Sequence, residues 1–252
     1  MSAPDRLSII VPVFNEAATS RAVIERLLAV DLPLPREILV VDDGSTDGTG
    51  HVLDAAVGEG LPITVVHAAR NAGKGSAIRE GLRHATGSIV AIQDADLELD
   101  PAQLAALVQP ILTGQADVVY GSRFLGGRSH APFVTSAANR VLTTATNLLF
   151  GGSLTDMETC YKVMRLEVAR SLRLTAERFD IEPQITARLL RGGHPAHLLR
   201  IGAEFGLRDA GCYLQSRPRG AQHGTATSPG CRMFTRRSGC SRRPRRFCCP
   251  AR

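Results

Sequence analysis

Short apolar segments alternate with amphipathic helical patterns up to about residue 190, and this alternation constrains the fold more than any other feature of the chain. Five segments have strand length and are rich in β-branched residues: 7–13, 37–43, 63–67, 88–93 and 117–121. Strands that alternate with helices form βαβ units. We therefore expect an α/β protein with a mainly parallel sheet flanked by helices. Beyond residue 122 the alternation weakens, but we also expect helices at 136–152 and 181–191 and a strand within 160–165.

Three polar clusters directly follow predicted strands: "PVFNEA", "DDGSTDGT" and "QDADLELD". In a parallel sheet the carboxyl ends of the strands meet at one edge, where ligands of open α/β sheets bind. The clusters are therefore expected to form one site.

The cluster "QDADLELD" contains four carboxylates, Asp94, Asp96, Glu98 and Asp100. Placing them together is costly, because two unit charges 4 Å apart repel by about 4 kcal/mol at an effective dielectric constant of 20. A Mg²⁺ or Mn²⁺ ion bound by these oxygens and by substrate phosphates would offset that repulsion. The alternative is a solvated acidic loop in which Asp100 caps a helix that begins at Pro101. The pattern of an EF-hand loop is absent.

Three more residues at the same predicted edge suit a nucleotide. Asp43 ends the second strand, where an acid can accept hydrogen bonds from a ribose or base, although an ordinary turn is the alternative. Lys74 lies in "RNAGKGSA", which matches neither glycine-rich phosphate motif, yet its glycines allow close backbone approach and the helix that follows favours an anion. An ordinary glycine turn before a helix is the alternative. Arg123 follows the fifth strand and suits a phosphate, or is simply a surface arginine.

Seven segments, taken together and in this order, resemble the family 2 glycosyltransferases of the GT-A fold, and most of all the polyprenyl-phosphate (dolichol-phosphate-type) mannosyl- and glucosyltransferases. They are "IIVPVFNEA", "ILVVDDGSTDGT", "RNAGKGSAIREGL", "DADLELDP", "VVYGSRF", "DMETCYKVMR" and "ERFDIEPQITA". They cover roughly residues 6 to 192.

The resemblance implies a GT-A, Rossmann-like fold and a role for each matching residue. Nucleotide-sugar contacts are implied for Pro12, Asn15, Glu16, Asp43, Lys74 and Asp94. A Mg²⁺ or Mn²⁺ ion would be held by Asp94, Asp96 and Glu98. Catalytic roles fall to Asp96, Arg123 and Asp156, and acceptor contacts to Tyr161 and Lys162. Cys160 replaces a glycine that is usual in the family.

The implied reaction is a metal-dependent inverting transfer of a hexose, from GDP-mannose or UDP-glucose, to a polyprenyl phosphate. Asp156 is the candidate to position the nucleophile or to act as a base. The alternatives are a family 2 enzyme with a soluble or cell-wall glycan acceptor, and an inactive truncated product that only binds nucleotide. A Rossmann-type dehydrogenase is disfavoured, because "PVFNEA" replaces the glycine fingerprint after the first strand.

Composition bears on location and partners. No apolar run approaches 18 residues and the N-terminus lacks the pattern of a signal peptide, so we expect a cytoplasmic protein, peripheral on the inner face of the cell membrane. We expect no nucleic-acid partner, and composition gives no oligomeric state. Cys160 is the only cysteine before residue 193, which excludes a disulfide framework there.

The chain changes in character after residue 192. Residues 193–252 contain twelve arginines, no lysine and five of the six cysteines, with little apolar periodicity. We therefore expect a GT-A domain at 1–192 and a disordered, low-complexity basic tail at 193–252. The tail is either a basic arm for a membrane or nucleic acid, or the out-of-frame translation of a GC-rich gene, which the excess of 28 arginines over 2 lysines favours.

Overall fold

The computed structural model describes residues 5–124 and 133–201. Seven strands are found in this part of the chain: β1 Leu7–Val13, β2 Arg36–Asp42, β3 Thr64–His67, β4 Ile89–Ile92, β5 Val118–Ser122, β6 Lys162–Arg165 and β7 His197–Arg200. The helices are α1 Ser20–Ala29, α2 Thr49–Gly58, α3 Lys74–His84, α4 Leu104–Leu112, α5 Phe133–Phe150, α6 Leu166–Ser171 and α7 Ile181–Arg191. None of these helices is long and apolar enough to cross a membrane.

The seven strands form one sheet in the order β3-β2-β1-β4-β6-β5-β7. All neighbouring pairs are parallel except those of β6, which runs antiparallel to both β4 and β5. The expected α/β fold with a mainly parallel sheet is therefore confirmed. Because β6 runs the opposite way, its first residues lie at the edge of the sheet where β4 and β5 end.

Helices cover both faces of the sheet, which is why the central strands are almost continuously apolar. Alternate residues of β1 enter different clusters. Ile9 and Val11 pack in the one that includes Leu27 of α1. Ile10 packs in the one that includes Ile78 of α3 and others from α7. Two cores thus hold the carboxyl ends of β1, β2 and β4 in fixed positions.

The predicted helix at Pro101 begins as a single 3₁₀ turn, Pro101–Gln103, that continues into α4. The carboxylate of Asp100 accepts a hydrogen bond from the Ala102 N–H at 3.0 Å. Asp100 is therefore the helix cap that its position before Pro101 indicates. Its role thus differs from the metal binding predicted for Asp94, Asp96 and Glu98.

The sheet extends beyond residue 192, the boundary expected from composition. Strand β7 pairs in parallel with β5, in a register that places Leu198 beside Tyr120. Leu198 and Leu199 are buried, so at least this segment belongs to the core. The rest of the predicted tail, 202–252, lies outside the described residues. Its disorder and its out-of-frame origin therefore stay predictions.

Candidate active site

A cavity of about 500 Å³ opens where β1, β2 and β4 end. Six of the predicted site residues line it: Pro12, Glu16, Asp43, Lys74, Asp94 and Asp96. The others lie outside its lining: Asn15, Glu98, Arg123, Asp156, Tyr161 and Lys162. A larger cavity, of about 870 Å³, lies at the opposite edge of the sheet beside Arg6 and Arg36, but none of the predicted residues lines it. The smaller cavity is therefore the candidate site.

The loop after β1 is braced by the loop after β2. Asn15 has a left-handed backbone (φ 55°), and its side-chain oxygen accepts a hydrogen bond from the Thr46 N–H at 2.8 Å. The N–H of Glu16 donates to the Thr49 hydroxyl at 2.9 Å. Asn15 thus fixes the shape of the cavity rim, whereas Glu16 is part of its wall.

Asp43 fixes a third loop. Its carboxylate accepts hydrogen bonds from the N–H groups of Ala72 at 3.0 Å and Gly73 at 2.6 Å. The side chain is 3% exposed, yet it lines the cavity. Asp43 therefore has a structural role toward the loop before α3 in addition to its predicted role toward a nucleotide.

The glycines at the start of α3 allow a close approach, but the group that approaches them is protein backbone. A β-carbon on Gly73 would lie 2.5 Å from the carbonyl oxygen of Glu177, and one on Gly75 would lie 2.5 Å from that of Ala176. The Ser76 N–H donates to the Glu177 carbonyl at 3.0 Å. The amino end of α3 is thus covered by residues 176–178, which argues against a phosphate bound directly at this helix end.

Lys74 is enclosed by acids. Its ammonium lies 2.9 Å from Oδ1 of Asp94 and 3.1 Å from Oε1 of Glu182, and its side chain is 15% exposed. Burial alone would lower the pKa of Lys74, but the neighbouring negative groups raise it above its usual range. Lys74 is therefore a permanent cation in the wall of the cavity.

The loop after β4, residues 93–100, places Asp94 and Asp96 in the cavity wall. Desolvation, together with the charges of Asp94 and Glu98, holds the pKa of Asp96 above its ordinary value. One Asp96 oxygen accepts the Glu98 N–H at 3.0 Å. Within 5–124 and 133–201, no three His, Cys, Asp or Glu side chains converge to hold a metal ion.

These residues nevertheless fit a Mg²⁺ or Mn²⁺ ion that takes part of its shell from substrate phosphates. The donors are all carboxylate oxygens. The pKa of Asp96 is raised by desolvation and, to a smaller extent, by repulsion from Asp94 and Glu98, and a bound cation would relieve that repulsion. Glu98 as a third ligand remains a prediction.

Arg123 and Asp156 form a close ion pair beside the site. Nε of Arg123 donates to one oxygen of Asp156 at 2.8 Å, and Nη2 donates to the other at 3.1 Å. The same carboxylate accepts from the Arg123 backbone N–H at 3.1 Å and from the amide of Asn139 at 2.6 Å. Asp156 is fully buried. It therefore holds Arg123 in place, and the geometry does not support a free general base there.

Tyr161 and Lys162 are fully buried, so the geometry does not support the acceptor contacts predicted for them. The Tyr161 hydroxyl donates to the side-chain oxygen of Gln93 at 2.6 Å, and the Gln93 amide donates to the carbonyl of Asp94 at 3.1 Å. Lys162 forms a buried ion pair with Glu182. Tyr161 therefore supports the loop after β4 through Gln93, and Lys162 holds the carboxylate of Glu182.

Sequence reasoning assigned no role to Glu182, Asn139, Arg178 or Phe179. Arg178 and Phe179 line the cavity, and Glu182 binds both lysines of the chain. One signal was available for Glu182: it is an acid on the face of α7 that carries the buried Ile181 and Ile185. An acid on an apolar helix face needs a buried partner.

The family of the chain follows from its similarity to known proteins. The model of the glycosyl transferase family 2 matches residues 8–173. The chain belongs to this family. It is similar to the dodecaprenyl-phosphate galacturonate synthase of Rhizobium johnstonii, with 30% identity over 70% of this chain and 53% of that protein. It is also similar to the undecaprenyl-phosphate 4-deoxy-4-formamido-L-arabinose transferase of Serratia proteamaculans, with 30% identity over 80% and 61%.

This chain thus spans between half and two thirds of the length of those two family 2 relatives. Among solved structures it is similar to the glucosyl-3-phosphoglycerate synthase of Mycobacterium tuberculosis in complex with phosphoglyceric acid, with a TM-score of 0.64, 24% identity and coverage of 85% and 73%. The same enzyme with Mn²⁺, UDP-glucose and phosphoglyceric acid has a TM-score of 0.63, 25% identity and the same coverage. The expected GT-A-like fold of this family 2 member is thereby confirmed.

Proposed function

We propose that this family 2 glycosyltransferase transfers a hexose from a nucleotide-diphosphate sugar to a polyprenyl phosphate, with a bound divalent cation and with inversion at the anomeric carbon. The observation that carries the proposal is the meeting of Asp43, Lys74, Asp94 and Asp96 in one cavity at the carboxyl edge of the sheet. The two similar prenyl-phosphate enzymes support the class of acceptor.

The residues of the cavity have complementary tasks toward a nucleotide sugar. Asp43 and Glu16, which line the cavity, are proposed to accept hydrogen bonds from the nucleoside. Asp94 and Asp96 would hold the cation, which when bound supplies charge stabilisation for the departing diphosphate. Lys74 adds a fixed positive charge in the same wall. GDP-mannose and UDP-glucose are the proposed donors.

Arg123 is proposed to meet a phosphate group of the donor or acceptor. Its guanidinium is aligned by Asp156 and remains 29% exposed. The acceptor phosphate is already an anion, so its oxygen attacks the anomeric carbon without losing a proton. The bond from that carbon to the diphosphate oxygen breaks, and the diphosphate leaves with the electron pair. Because this attack requires no general base, the buried Asp156 can act by holding Arg123 in place.

A second candidate is transfer to a soluble acceptor, which the similarity to a synthase crystallised with phosphoglyceric acid favours. A third is a chain that binds nucleotide without turnover.

Thermal-shift measurements with UDP- and GDP-sugars, with and without Mn²⁺, identify the donor. Radiolabelled transfer with that donor is then measured to polyprenyl phosphate and to soluble phosphorylated or glycan acceptors. We expect a labelled lipid. Label only in a soluble product contradicts the proposal, and donor binding without transfer indicates the third candidate.

A further inference from the structure

Arg178 is a cation of the candidate site that has no counterion. Among the described residues, two cations line the cavity, Lys74 and Arg178, beside four acids. Lys74 is paired with Asp94 and Glu182. Arg178 is exposed, and its guanidinium has no hydrogen bond or ion pair to any residue within 5–124 and 133–201. In this part of the chain, Arg178 is therefore the cation of the cavity that is left for an anionic ligand.

Phe179, the next residue, places an accessible aromatic ring at the same cavity. It is 79% exposed, although it lines the cavity. Phe14, which is 43% exposed, lines the cavity from the loop after β1. A nucleobase stacks on such rings, because every base has a flat π-face. Arg178 and Phe179 thus provide a cation for phosphates and a ring for a base.

The backbone that carries these two side chains is fixed by hydrogen bonds. The side-chain oxygen of Gln184 accepts the Ala176 N–H at 3.0 Å, and the carboxylate of Asp180 accepts the Arg178 N–H at 3.0 Å. The Ser76 N–H joins the same segment to α3. A fixed backbone below exposed side chains lowers the cost of ordering them around a ligand.

Arg178 begins beside the loop that connects the two proposed parts of the donor site. A β-carbon on Gly73 would lie 2.8 Å from Cγ of Arg178. The Gly73 N–H donates to the carboxylate of Asp43 at 2.6 Å, and Lys74, which follows it, lies 2.9 Å from Asp94. Asp43 is the acid proposed for the nucleoside, and Asp94 is one of those proposed for the cation. The diphosphate of a nucleotide sugar joins these two regions.

We propose that Arg178 and Phe179 bind the donor, with the guanidinium of Arg178 on the diphosphate and the ring of Phe179 stacked on the nucleobase. The proposal rests on the proposed function in taking a nucleotide-diphosphate sugar as donor, and deepens it by naming residues that recognise it. A guanidinium binds two phosphate oxygens through parallel N–H donors. The ammonium of Lys74 is already shared between two carboxylates, so the diphosphate needs this second cation.

The test of Arg178 is isothermal titration calorimetry of the full chain with UDP, GDP and the monophosphates UMP and GMP, in the presence of Mn²⁺. Arg178→Gln keeps Cγ beside Gly73 but removes the charge. It should raise the Kd of the diphosphate that the wild type binds about tenfold, and that of the matching monophosphate less. Arg173→Gln, at an exposed arginine that does not line the cavity, is the matched control and should bind as the wild type does.

The test of Phe179 uses the same nucleotides. Phe179→Ala should raise the Kd of the diphosphate and of the monophosphate by the same factor, about tenfold, because the base is common to both. Phe179→Tyr retains the ring and should bind as the wild type does. Val57→Ala, at a 43% exposed valine of α2 outside the cavity lining, is the control. All the substituted residues are exposed, so the thermal midpoints should equal that of the wild type.

Two results overturn the proposal. One is an unchanged nucleotide affinity in Arg178→Gln or in Phe179→Ala. The other is a loss in Arg178→Gln that is as large for the monophosphate as for the diphosphate. The acceptor is tested separately: label only in a soluble product, from a wild type whose nucleotide affinity depends on both residues, contradicts the proposed function and supports these donor contacts. Binding of neither UDP nor GDP by the wild type overturns both.

Discussion

The ammonium of Lys74 lies 2.9 Å from Oδ1 of Asp94, so a side chain of α3 neutralises the first acid of the loop after β4. Glu182 of α7 lies 3.1 Å from the same ammonium and also binds Lys162. The two lysines of the chain therefore share one buried carboxylate. This network joins β4, β6, α3 and α7 at the floor of the cavity.

Replacing Lys74 by Met should destabilise the protein. The substitution leaves Asp94 and Glu182 without their shared cation, and breaking a buried pair costs about 3 kcal/mol. The free energy of unfolding in urea measures the change. Lys74→Arg keeps the charge and should cost less. Equal stability of the Met variant and the wild type would show that the Lys74 ammonium contributes nothing to the fold.

Replacing Asp96 by Asn should remove the effect of Mn²⁺ on donor binding, because an amide carries no charge to hold the cation. The measurement is the thermal midpoint with donor, with and without Mn²⁺. Asp100→Asn is the matched control in the same loop, since Asn caps a helix about as well as Asp. A Mn²⁺-dependent shift that survives in Asp96→Asn would exclude Asp96 as a metal ligand.

Replacing Asp156 by Asn should lower both stability and turnover. The carboxylate is fully buried and accepts hydrogen bonds from Arg123 and Asn139, so we expect a loss of about 3 kcal/mol in unfolding free energy. Turnover should fall because the Arg123 guanidinium loses its alignment. Asp117→Asn is the control: Asp117 pairs with Arg165 at 3.0 Å but is 57% exposed, and exposed pairs contribute at most about 1 kcal/mol. Similar losses in the two variants would contradict the assignment.

Replacing Gly73 by Ala should destabilise the protein more than replacing Gly60 by Ala. Both glycines have positive φ, 99° and 88°, but only at Gly73 would the new carbon meet backbone, 2.5 Å from the Glu177 carbonyl. Gly60→Ala should cost about 1 kcal/mol of backbone strain, and Gly73→Ala should cost more and weaken donor binding. Chemical denaturation measures the unfolding free energy of both variants. A loss in Gly73→Ala no larger than that in Gly60→Ala would contradict the prediction.

The stability contributed by His67 should depend on pH. Its hydrogen bond to Asp42 at 2.9 Å is the main cause that raises the pKa of His67. The contribution is therefore complete below the unfolded pKa of about 6.5 and is lost as pH rises through the higher folded pKa. The unfolding free energy lost in His67→Asn should be larger at acidic than at alkaline pH.

The elements that could be predicted from the sequence are those with strong local signals. The bounds of β1 and α7 match the predicted ones, and the acids of three loops meet at one edge because the parallel strands direct them there. Strand β7 has only four residues and pairs with β5 across some 80 positions of the chain, so no local pattern indicates it. The direction of β6, which inverts one strand of the sheet, is likewise a long-range property.

The partners of polar groups could not be predicted either. Asp156 has the position of a catalytic acid in the motif, but its role depends on Arg123 and Asn139, which are 33 and 17 residues away. The helix at 136–152 was predicted from its apolar residues, but which side of it faces the protein depends on the buried Thr143 and Thr146.

The antiparallel strand β6 separates β4 from β5 and so acts as a spacer. Neighbouring strands lie about 4.8 Å apart, which sets the ends of β4 and β5 about 10 Å from each other. Asp94 follows one of these strands and Arg123 follows the other. The gap between the acid that would bind the donor and the arginine that would meet a phosphate is thus determined by backbone hydrogen bonding. Side-chain substitutions can change what the two ends bind, but the span between them is built into the sheet.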